Sequence, residues 1–260
     1  MIKFLRVWMF YTNYAFQQTL SNRLLVLVFM SGKILRIFLF ALFLFFIFQG
    51  TKGIGDYNRE QIIFFYLTFN LIDTLGQVLY REVYRFRPLV VSGSLDFVSL
   101  KPVNPLVRIL LGGADMMDLL MFIILLSVTI WYGVNFITRD FTSWILYFLM
   151  VLNGLVIATA FHILILGIGI ITIAIDQLIS LFRDMSSMLR IPVDLYTQPF
   201  KFLLTFIIPL GIMFTFPAKT LMGLVSPLSV LLLLIVSFML LFLSLKFWQF
   251  SLKKYSSAGS

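Results

Sequence analysis

The chain has 260 residues, of which 61% are hydrophobic and 12% are charged, whereas soluble globular proteins are about half apolar and a quarter charged. The apolar residues form long uninterrupted runs, so composition excludes an ordinary soluble domain and favours a helical membrane protein. The chain has no cysteine, which excludes disulfides, thiolate metal sites and cysteine nucleophiles. Its net charge of +9 comes largely from basic residues near span ends, so anionic lipid explains it better than nucleic acid.

The first 23 residues combine basic and aromatic side chains and contain no acid. Lys3, Arg6 and Arg23 are interleaved with Trp8 and further aromatic residues, a pattern typical of a helix lying in the membrane interface. We therefore predict an interfacial helix over residues 1–23. The apolar run that follows is much longer than the core of a secretory signal, so we expect the segment to be retained.

Several apolar runs reach the length of about 20 residues that a bilayer-spanning helix needs. They predict spans at about Leu24–Phe48, Gln61–Tyr80, Leu106–Gly133, Phe141–Ala174 and Pro227–Phe247. Lys and Arg are concentrated in the N-terminal segment, in the connection 81–108 and at the C-terminal end, which places all three in the cytoplasm. Both termini are then cytoplasmic, and the number of spans must be even, about six.

The segment 175–226 has two interpretations, both of which keep the span count even. Six polar residues recur at steps of three and four, as on one face of a helix: Asp176, Ser180, Arg183, Ser187, Arg190 and Asp194. The helix is either a cytoplasmic surface helix, with 202–218 as the fifth span, or itself the fifth span, about 177–191, bordering a polar cavity. The five prolines from Pro192 to Pro227 interrupt the apolar sequence that follows, which favours short or re-entrant helices over 192–226.

Ionisable residues inside the predicted spans are costly unless they find partners. We expect Lys33, Arg36, Asp115 and Asp118 to pair helices or lie near the interface, and we expect His162 to be a packing residue rather than a proton relay. No phosphate-binding loop, metal-ligand spacing or nucleophile–base pair is visible, so we expect neither an ATPase site nor a bound cofactor.

The most specific pattern lies after the second span. It reads Val91-Ser92-Gly93-Ser94-Leu95-Asp96 and then Leu100-Lys101-Pro102-Val103-Asn104-Pro105-Leu106, and the later segments Ile207-Ile208-Pro209-Leu210 and Lys253-Lys254-Tyr255-Ser256-Ser257 follow in order. Together these segments resemble the permease subunits of the ABC-2 transporter superfamily, in particular the six-span permeases that are encoded separately from their ATPase.

The resemblance implies an all-α, type V exporter-like membrane fold, with one permease domain over 1–260 and re-entrant helices on the outer side. It also implies a second permease, identical or a sister, and cytoplasmic ATPase subunits that bind ATP and Mg²⁺. In this family the connection 81–105 couples to the ATPase. The candidate coupling residues are Glu82, Arg85, Arg87, Gly93, Leu95, Asp96, Pro102, Asn104 and Pro105.

The resemblance implies the permease subunit of an ATP-driven exporter, and the polar stripe from Asp176 to Asp194 is the candidate substrate route. The alternative is an ion- or proton-coupled carrier that uses Asp73, Asp115, Asp118 and Asp176, although no inverted repeat is visible. A membrane-embedded lipid enzyme would need a convergent catalytic set that a single histidine does not supply. The cargo is not identified, but a cavity with aromatic and basic walls would suit amphipathic, anionic molecules.

Overall fold

The structure is a computed structural model that describes residues 8–10, 12–13, 16–17, 23–101, 104–113 and 115–255. The predicted interfacial helix over 1–23 lies largely outside the described residues, and the described residues between 8 and 17 are helical. Pro102, one of the candidate coupling residues, also lies outside them.

Helices make up nearly all of the described chain. In order, the elements are α1 (Arg23–Gly50), β1 (Gly53–Ile54), β2 (Tyr57–Asn58), α2 (Arg59–Tyr80), a 3-10 turn (Arg81–Arg85), α3 (Phe86–Val91), α4 (Leu95–Ser99), α5 (Pro105–Leu110), α6 (Met116–Phe136), α7 (Phe141–Thr172), α8 (Ile175–Met188), a 3-10 turn (Val193–Leu195), α9 (Phe200–Phe202), a π-helical turn (Leu203–Ile207), α10 (Leu210–Phe214), α11 (Phe216–Leu221) and α12 (Pro227–Lys254). The two short strands form an antiparallel hairpin in which Gly53 faces Asn58.

Among the described residues, five helical stretches are long and apolar enough to cross a bilayer: Val26–Gly50, Arg59–Val91, Met117–Phe136, Phe141–Thr172 and Pro227–Lys254. They coincide with five of the six predicted spans. The third differs at its start, because α5 is a separate short helix and α6 begins only after Asp115. With 32 residues, α7 is about 48 Å long and exceeds a hydrocarbon core of about 30 Å, so it must tilt or protrude.

Polar side chains fix where the long helices begin. At the start of α2, Asn58 and Gln61 exchange hydrogen bonds in a capping box. The carboxylate of Asp115 accepts a hydrogen bond from the backbone N–H of Met117 at 3.0 Å, and the carboxylate of Asp140 caps α7 in the same way. These polar residues separate apolar runs that would otherwise read as continuous.

The centre of the protomer is built from α2 and α7, which present buried faces to their neighbours. The buried rings of Phe64 and Tyr147 lie with their centroids 5.6 Å apart. Small residues allow close approach elsewhere, since a Cβ atom at Gly154 would lie 2.9 Å from the carbonyl oxygen of Met213 in α10. The short helices therefore pack directly against the backbone of α7.

The first span, α1, lies at the periphery. Among its described side chains only Leu44 is buried, and its large apolar residues face outward on several sides. It contacts α2 through the stacked rings of Phe40 and Tyr66, whose centroids are 4.7 Å apart. The Tyr66 hydroxyl also donates a hydrogen bond to the carbonyl oxygen of Ile37 at 3.0 Å.

The contacts of α8 lie at opposite ends of the helix bundle. At its start, Asp176 forms an ion pair of 3.2 Å with Arg87 of α3, at what we call the basic end. Beyond its last turn, Asp194 accepts a hydrogen bond of 2.7 Å from Tyr57 of the β-hairpin, at the hairpin end. The helix α2 between these ends is about 33 Å long, and the segment from Asp176 to Asp194 therefore runs between the two ends; whether α8 is the fifth span stays a prediction.

The polar stripe is not one continuous helical face. Helix α8 ends at Met188, so Arg190 and Asp194 lie beyond it, and the prediction that all six polar residues share one helical face is wrong for these two. Pro192 follows three residues after the C-cap residue Leu189, and a proline cannot continue a helix. With 14 residues, α8 is about 21 Å long, shorter than the hydrocarbon core.

The segment between α8 and α12 is folded from short helices, as its prolines predicted. Every residue of α10 is buried, as are Pro217, Ala218, Thr220 and Leu221 of α11. The return of this segment to the side from which it starts remains a prediction.

Candidate functional site

A cavity of about 560 Å³ lies between α1, the end of α2 and α8. Five of its lining residues are basic and none of its described lining residues is acidic; the basic ones are Lys33, Arg36, Arg81, Arg85 and Arg183. A second cavity, of about 360 Å³, lies near the hairpin end, and its described lining contains no charged residue. Positive charge thus distinguishes the first of these cavities, which we call the basic cavity.

Four of the five basic residues pair with acids at the edge of the basic cavity. The pairs are Lys33 with Asp118, Arg36 with Asp73 at 3.5 Å, Arg81 with Asp115 at 3.4 Å, and Arg85 with Glu82 at 3.7 Å. The Asp118 side chain is fully buried, so its pairing with Lys33 ties α1 to the start of α6. These are the helix-pairing roles expected for Lys33, Arg36, Asp115 and Asp118.

Arg183 is the exception. No carboxylate lies within ion-pair distance of it in the described part of the chain, although Asp73 is near enough to feel its charge. Asp73 is already engaged with Arg36 and accepts a hydrogen bond of 2.9 Å from Gln77. The guanidinium of Arg183 is therefore an exposed, uncompensated cation at the wall of the cavity.

The four acids considered for an ion-coupled carrier all have basic partners. Asp73, Asp115 and Asp118 pair across the cavity wall, and Asp176 pairs with Arg87. The pairing thus gives each of the four acids a role in joining helices.

His162 is a packing residue in the structure. Its ring is buried, and its centroid lies 4.6 Å from that of Tyr80 and 5.2 Å from that of Phe182. Its Nδ1 atom lies 2.7 Å from the carbonyl oxygen of Ala158, one turn earlier in α7.

Several candidate coupling residues shape the connection rather than face outward. Gly93 has a φ of +70°, a left-handed conformation that lets the chain turn between α3 and α4. Leu95 is fully buried. Asn104 caps α5 by accepting a hydrogen bond of 3.0 Å from the N–H of Leu106, and Pro105 occupies the first turn.

The charged candidates make local contacts. Glu82 and Arg85 pair with each other, and Arg87 reaches the start of α8 through Asp176. Asp96 lies near Tyr255, where burial and the neighbouring carboxylate raise the pKa of the phenol. The C-terminal end of α12 therefore lies beside α4 at the basic end.

Sequence reasoning missed the most exposed apolar residues of this connection. Phe97 is 70% exposed, Leu100 is 81% exposed and Val91 is 55% exposed, on or next to α3 and α4. We call these three the apolar triad. A signal was available for Phe97 and Leu100, because both stand among the charged and polar residues of the connection that follows the second span.

The polar stripe divides into three environments. Ser180 and Arg183 are exposed toward the basic end, as is the paired Asp176. Ser187 is partly buried and donates to the carbonyl oxygen of Asp184 at 2.7 Å. Arg190 lies over the ring of Phe40, with its guanidinium carbon 5.7 Å from the ring centroid.

The last stripe residue, Asp194, belongs to a cluster at the hairpin end. It pairs with Lys201 and Lys219, each at 2.9 Å, and accepts the hydrogen bond from Tyr57. Burial alone would raise the pKa of Asp194, but the lysine and tyrosine hydrogen bonds outweigh burial and hold this pKa at about 2. The cluster joins the hairpin to α9 and α11, which is a structural role rather than a lining role.

The comparisons with known proteins identify the family. A sequence model of the family described as "ABC-2 family transporter protein" matches residues 34–259, most of the chain. This chain is a member of the ABC-2 transporter family. The match confirms the predicted class, an all-α membrane protein with five to six long apolar helices, and the resemblance on which that prediction was based. Searches of curated proteins and of solved structures found no match.

The geometry also defines the chemistry available to this ABC-2 protein. Among the described residues, no group of three histidine or acidic side chains could hold a metal ion. The charged side chains that line the basic cavity are all cations, which suits binding of an anion.

The Asp194 cluster gives a prediction for the stability of the ABC-2 protein. We expect Asp194→Asn to lower the unfolding temperature, because two lysines lose their partner; hydrogen bonds to charged groups contribute about 1.5–3 kcal/mol each. The folded pKa of about 2 lies below the reference value of 3.8, so ionised Asp194 stabilises fully above about pH 4. That stabilisation is lost as the pH falls through 2.

Thermal unfolding of purified protein against pH is the measurement. The difference between wild type and variant should stay constant above about pH 4 and shrink below it. The matched control is Asp56→Asn in the same hairpin, which should leave the unfolding temperature nearly unchanged. Equal unfolding temperatures for wild type and Asp194→Asn at neutral pH would contradict the assigned role.

Proposed function

We propose that this chain is the permease subunit of an ATP-driven ABC-2 exporter, coupled to a separately encoded ATPase. The observation that supports this most is the basic end, where the connection after the second span folds into the short helices α3 and α4. These helices expose the apolar triad beside charged residues. Exposed apolar residues grouped within a polar surface are typical of a protein-binding site.

The proposed coupling surface comprises the 3-10 turn, α3 and α4. Gly93 and Leu95 set its shape, whereas Arg85 and the apolar triad are available to a partner. Arg87 also links this surface to α8 through its ion pair with Asp176. A movement of the coupling surface would thereby act on α8 directly.

A second permease, identical or a sister, is part of the proposal. Because α1 buries little of its surface within the protomer, that surface is available to either lipid or a second transmembrane subunit. One set of spans is small for enclosing a transport route. The proposed assembly therefore has two permeases above two ATPase subunits, which bind ATP and Mg²⁺ themselves.

The proposed orientation puts the basic end in the cytoplasm. The connection 81–108 and the end of α12 are rich in Lys and Arg, as the cytoplasmic side of membrane proteins generally is. The two termini are then cytoplasmic, and the hairpin end with the segment 192–226 lies on the outer side.

The proposed substrate route begins at the basic cavity and follows α8. Arg183 and Ser180 are exposed there, whereas Ser187 and Arg190 continue toward α1 in a more enclosed setting. An arginine facing lipid at the centre of a bilayer would cost about 2.5–3.5 kcal/mol on insertion scales. Water or ligand in the route would avoid that cost.

The coupling surface predicts that Phe97→Ser weakens binding of the ATPase. Truncating an aromatic residue at the centre of an interface typically costs about 2 kcal/mol or more. We expect less ATPase to copurify with the variant and less stimulation of ATP hydrolysis in vesicles.

The matched control for this variant is Phe141→Ser. Phe141 is 77% exposed and starts α7 at the hairpin end, so it should leave ATPase binding unchanged. If Phe97→Ser retains both copurification and stimulated hydrolysis, the ATPase binds elsewhere and the proposed coupling surface is wrong.

The substrate route predicts a contrast between two neighbours in α8. We introduce single cysteines at Arg183 and Leu181, both exposed within the protomer, and treat membranes with an impermeant maleimide. If position 183 faces a water-filled route and position 181 faces lipid, the maleimide should label the cysteine at 183 and leave the cysteine at 181 unlabelled. A buried position, Ile179, supplies the background rate.

The chain has no natural cysteine, so each signal belongs to one position. Equal, fast labelling of positions 181 and 183 would mean that α8 lies in water on both sides. The helix would then be a cytoplasmic surface helix, and the route along it would be excluded.

A further inference from the structure

The basic cavity combines positive charge with an apolar opening. On α1, Val28 and Phe29 line it and are 61% and 55% exposed, so one side is continuous with the outer surface of the first span. On the opposite side stand the arginines of the 3-10 turn and of α8. A molecule that fills the cavity would therefore meet cations at one end and an apolar surface at the other.

The charge of the cavity is nearly, but not fully, balanced. Five basic side chains line it and four acids pair with them, which leaves one net positive charge. That charge is localised on Arg183, which has no ion-pair partner among the described residues. A singly charged anion would complete the balance.

The type of hydrogen-bond donor in the cavity indicates which class of anion it would bind. Arg36, Arg81 and Arg85 keep free N–H groups, because their ion pairs are long, at 3.4 to 3.7 Å. Each of these side chains is also more than a third exposed. Guanidinium groups bind phosphate oxygens through paired hydrogen bonds. Several arginines converging on one volume suit a phosphate better than a single carboxylate.

We propose that the basic cavity binds the phosphodiester headgroup of an anionic lipid-like molecule, with Arg183 as its principal partner and its chains lying along Val28 and Phe29. A phosphodiester has the one negative charge that the cavity lacks. The cavity volume of about 560 Å³ accommodates a headgroup and the first part of the chains. The proposal concerns binding by this chain alone, so it does not depend on coupling to an ATPase.

The test uses the purified full chain in a zwitterionic detergent, titrated with dioctanoyl phosphatidylglycerol. Native mass spectrometry counts the bound molecules and gives the dissociation constant. Dioctanoyl glycerol has the same acyl chains without the phosphate group, and inorganic phosphate has the phosphate group without the acyl chains. We expect the phospholipid to bind more tightly than either.

Two variants address the site in different ways. Arg183→Gln removes the unpaired cation and should weaken phosphatidylglycerol binding about tenfold, the effect expected for one charge-assisted contact. Gly32→Leu fills the cavity without altering charge; a Cβ atom at Gly32 meets nothing within 4 Å, so the fold should tolerate it. Arg139→Gln, an exposed arginine outside the cavity, makes the same charge change and should bind like wild type.

Each outcome decides the proposal. Weaker binding in both cavity variants, with Arg139→Gln unchanged, supports it. If inorganic phosphate binds as tightly as the phospholipid, the cavity recognises free phosphate and the lipid part is overturned. If dioctanoyl glycerol binds equally well, or if both cavity variants bind like wild type, the cavity is not an anion site. A failed coupling experiment would leave each of these results standing.

Discussion

The ion pair between Lys33 and Asp118 is the contact on which the arrangement of the first span depends. Asp118 is fully buried near the start of α6, and an unpaired charge there would be strongly destabilising. The helix α1 buries only Leu44 among its described side chains, so its apolar packing within the chain is limited. Charge pairing, together with the Tyr66 contacts, sets the position of α1 and so the wall of the basic cavity.

The same constraint explains the arrangement of the neighbouring charges. Arg36 and Arg81 extend the pairing to Asp73 in α2 and Asp115 at the cap of α6, so three helices meet around one layer of charge. Removing one partner would leave its counterpart exposed to an apolar surrounding. These ion pairs balance four of the five cations that line the cavity, and Arg183 has no ion-pair partner among the described residues.

Much of the fold could be predicted from the sequence. The positions of five long apolar helices followed from the length of apolar runs, because a bilayer imposes a minimum helix length, whereas the sixth span stays a prediction. The start of α6 could not be placed this way, since the break at Asp115 depends on a single capping side chain within an apolar stretch. The end of α8 was also placed too late. The period of three and four residues continues in the sequence to Asp194, whereas the helix ends at Met188.

The candidate site was less predictable. The residues of the coupling connection were chosen from a resemblance, which does not separate Leu95, a buried support, from Phe97, an exposed contact. The stripe of α8 was found from its period, but Asp194 proved to belong to a cluster that also needs Tyr57, 137 residues earlier in the chain. Ion pairs between distant helices, such as Lys33 with Asp118, leave no periodic signal in a sequence.

The most direct test of the proposed function is to isolate the chain from its native membranes with whatever it binds, and to measure ATP hydrolysis and transport in vesicles. We expect a complex of two permeases with a separate ATPase, whose rate of ATP hydrolysis rises when the permease is present. A chain that purifies without an ATPase and transports in response to an ion gradient alone would contradict it, and would favour the ion-coupled carrier instead.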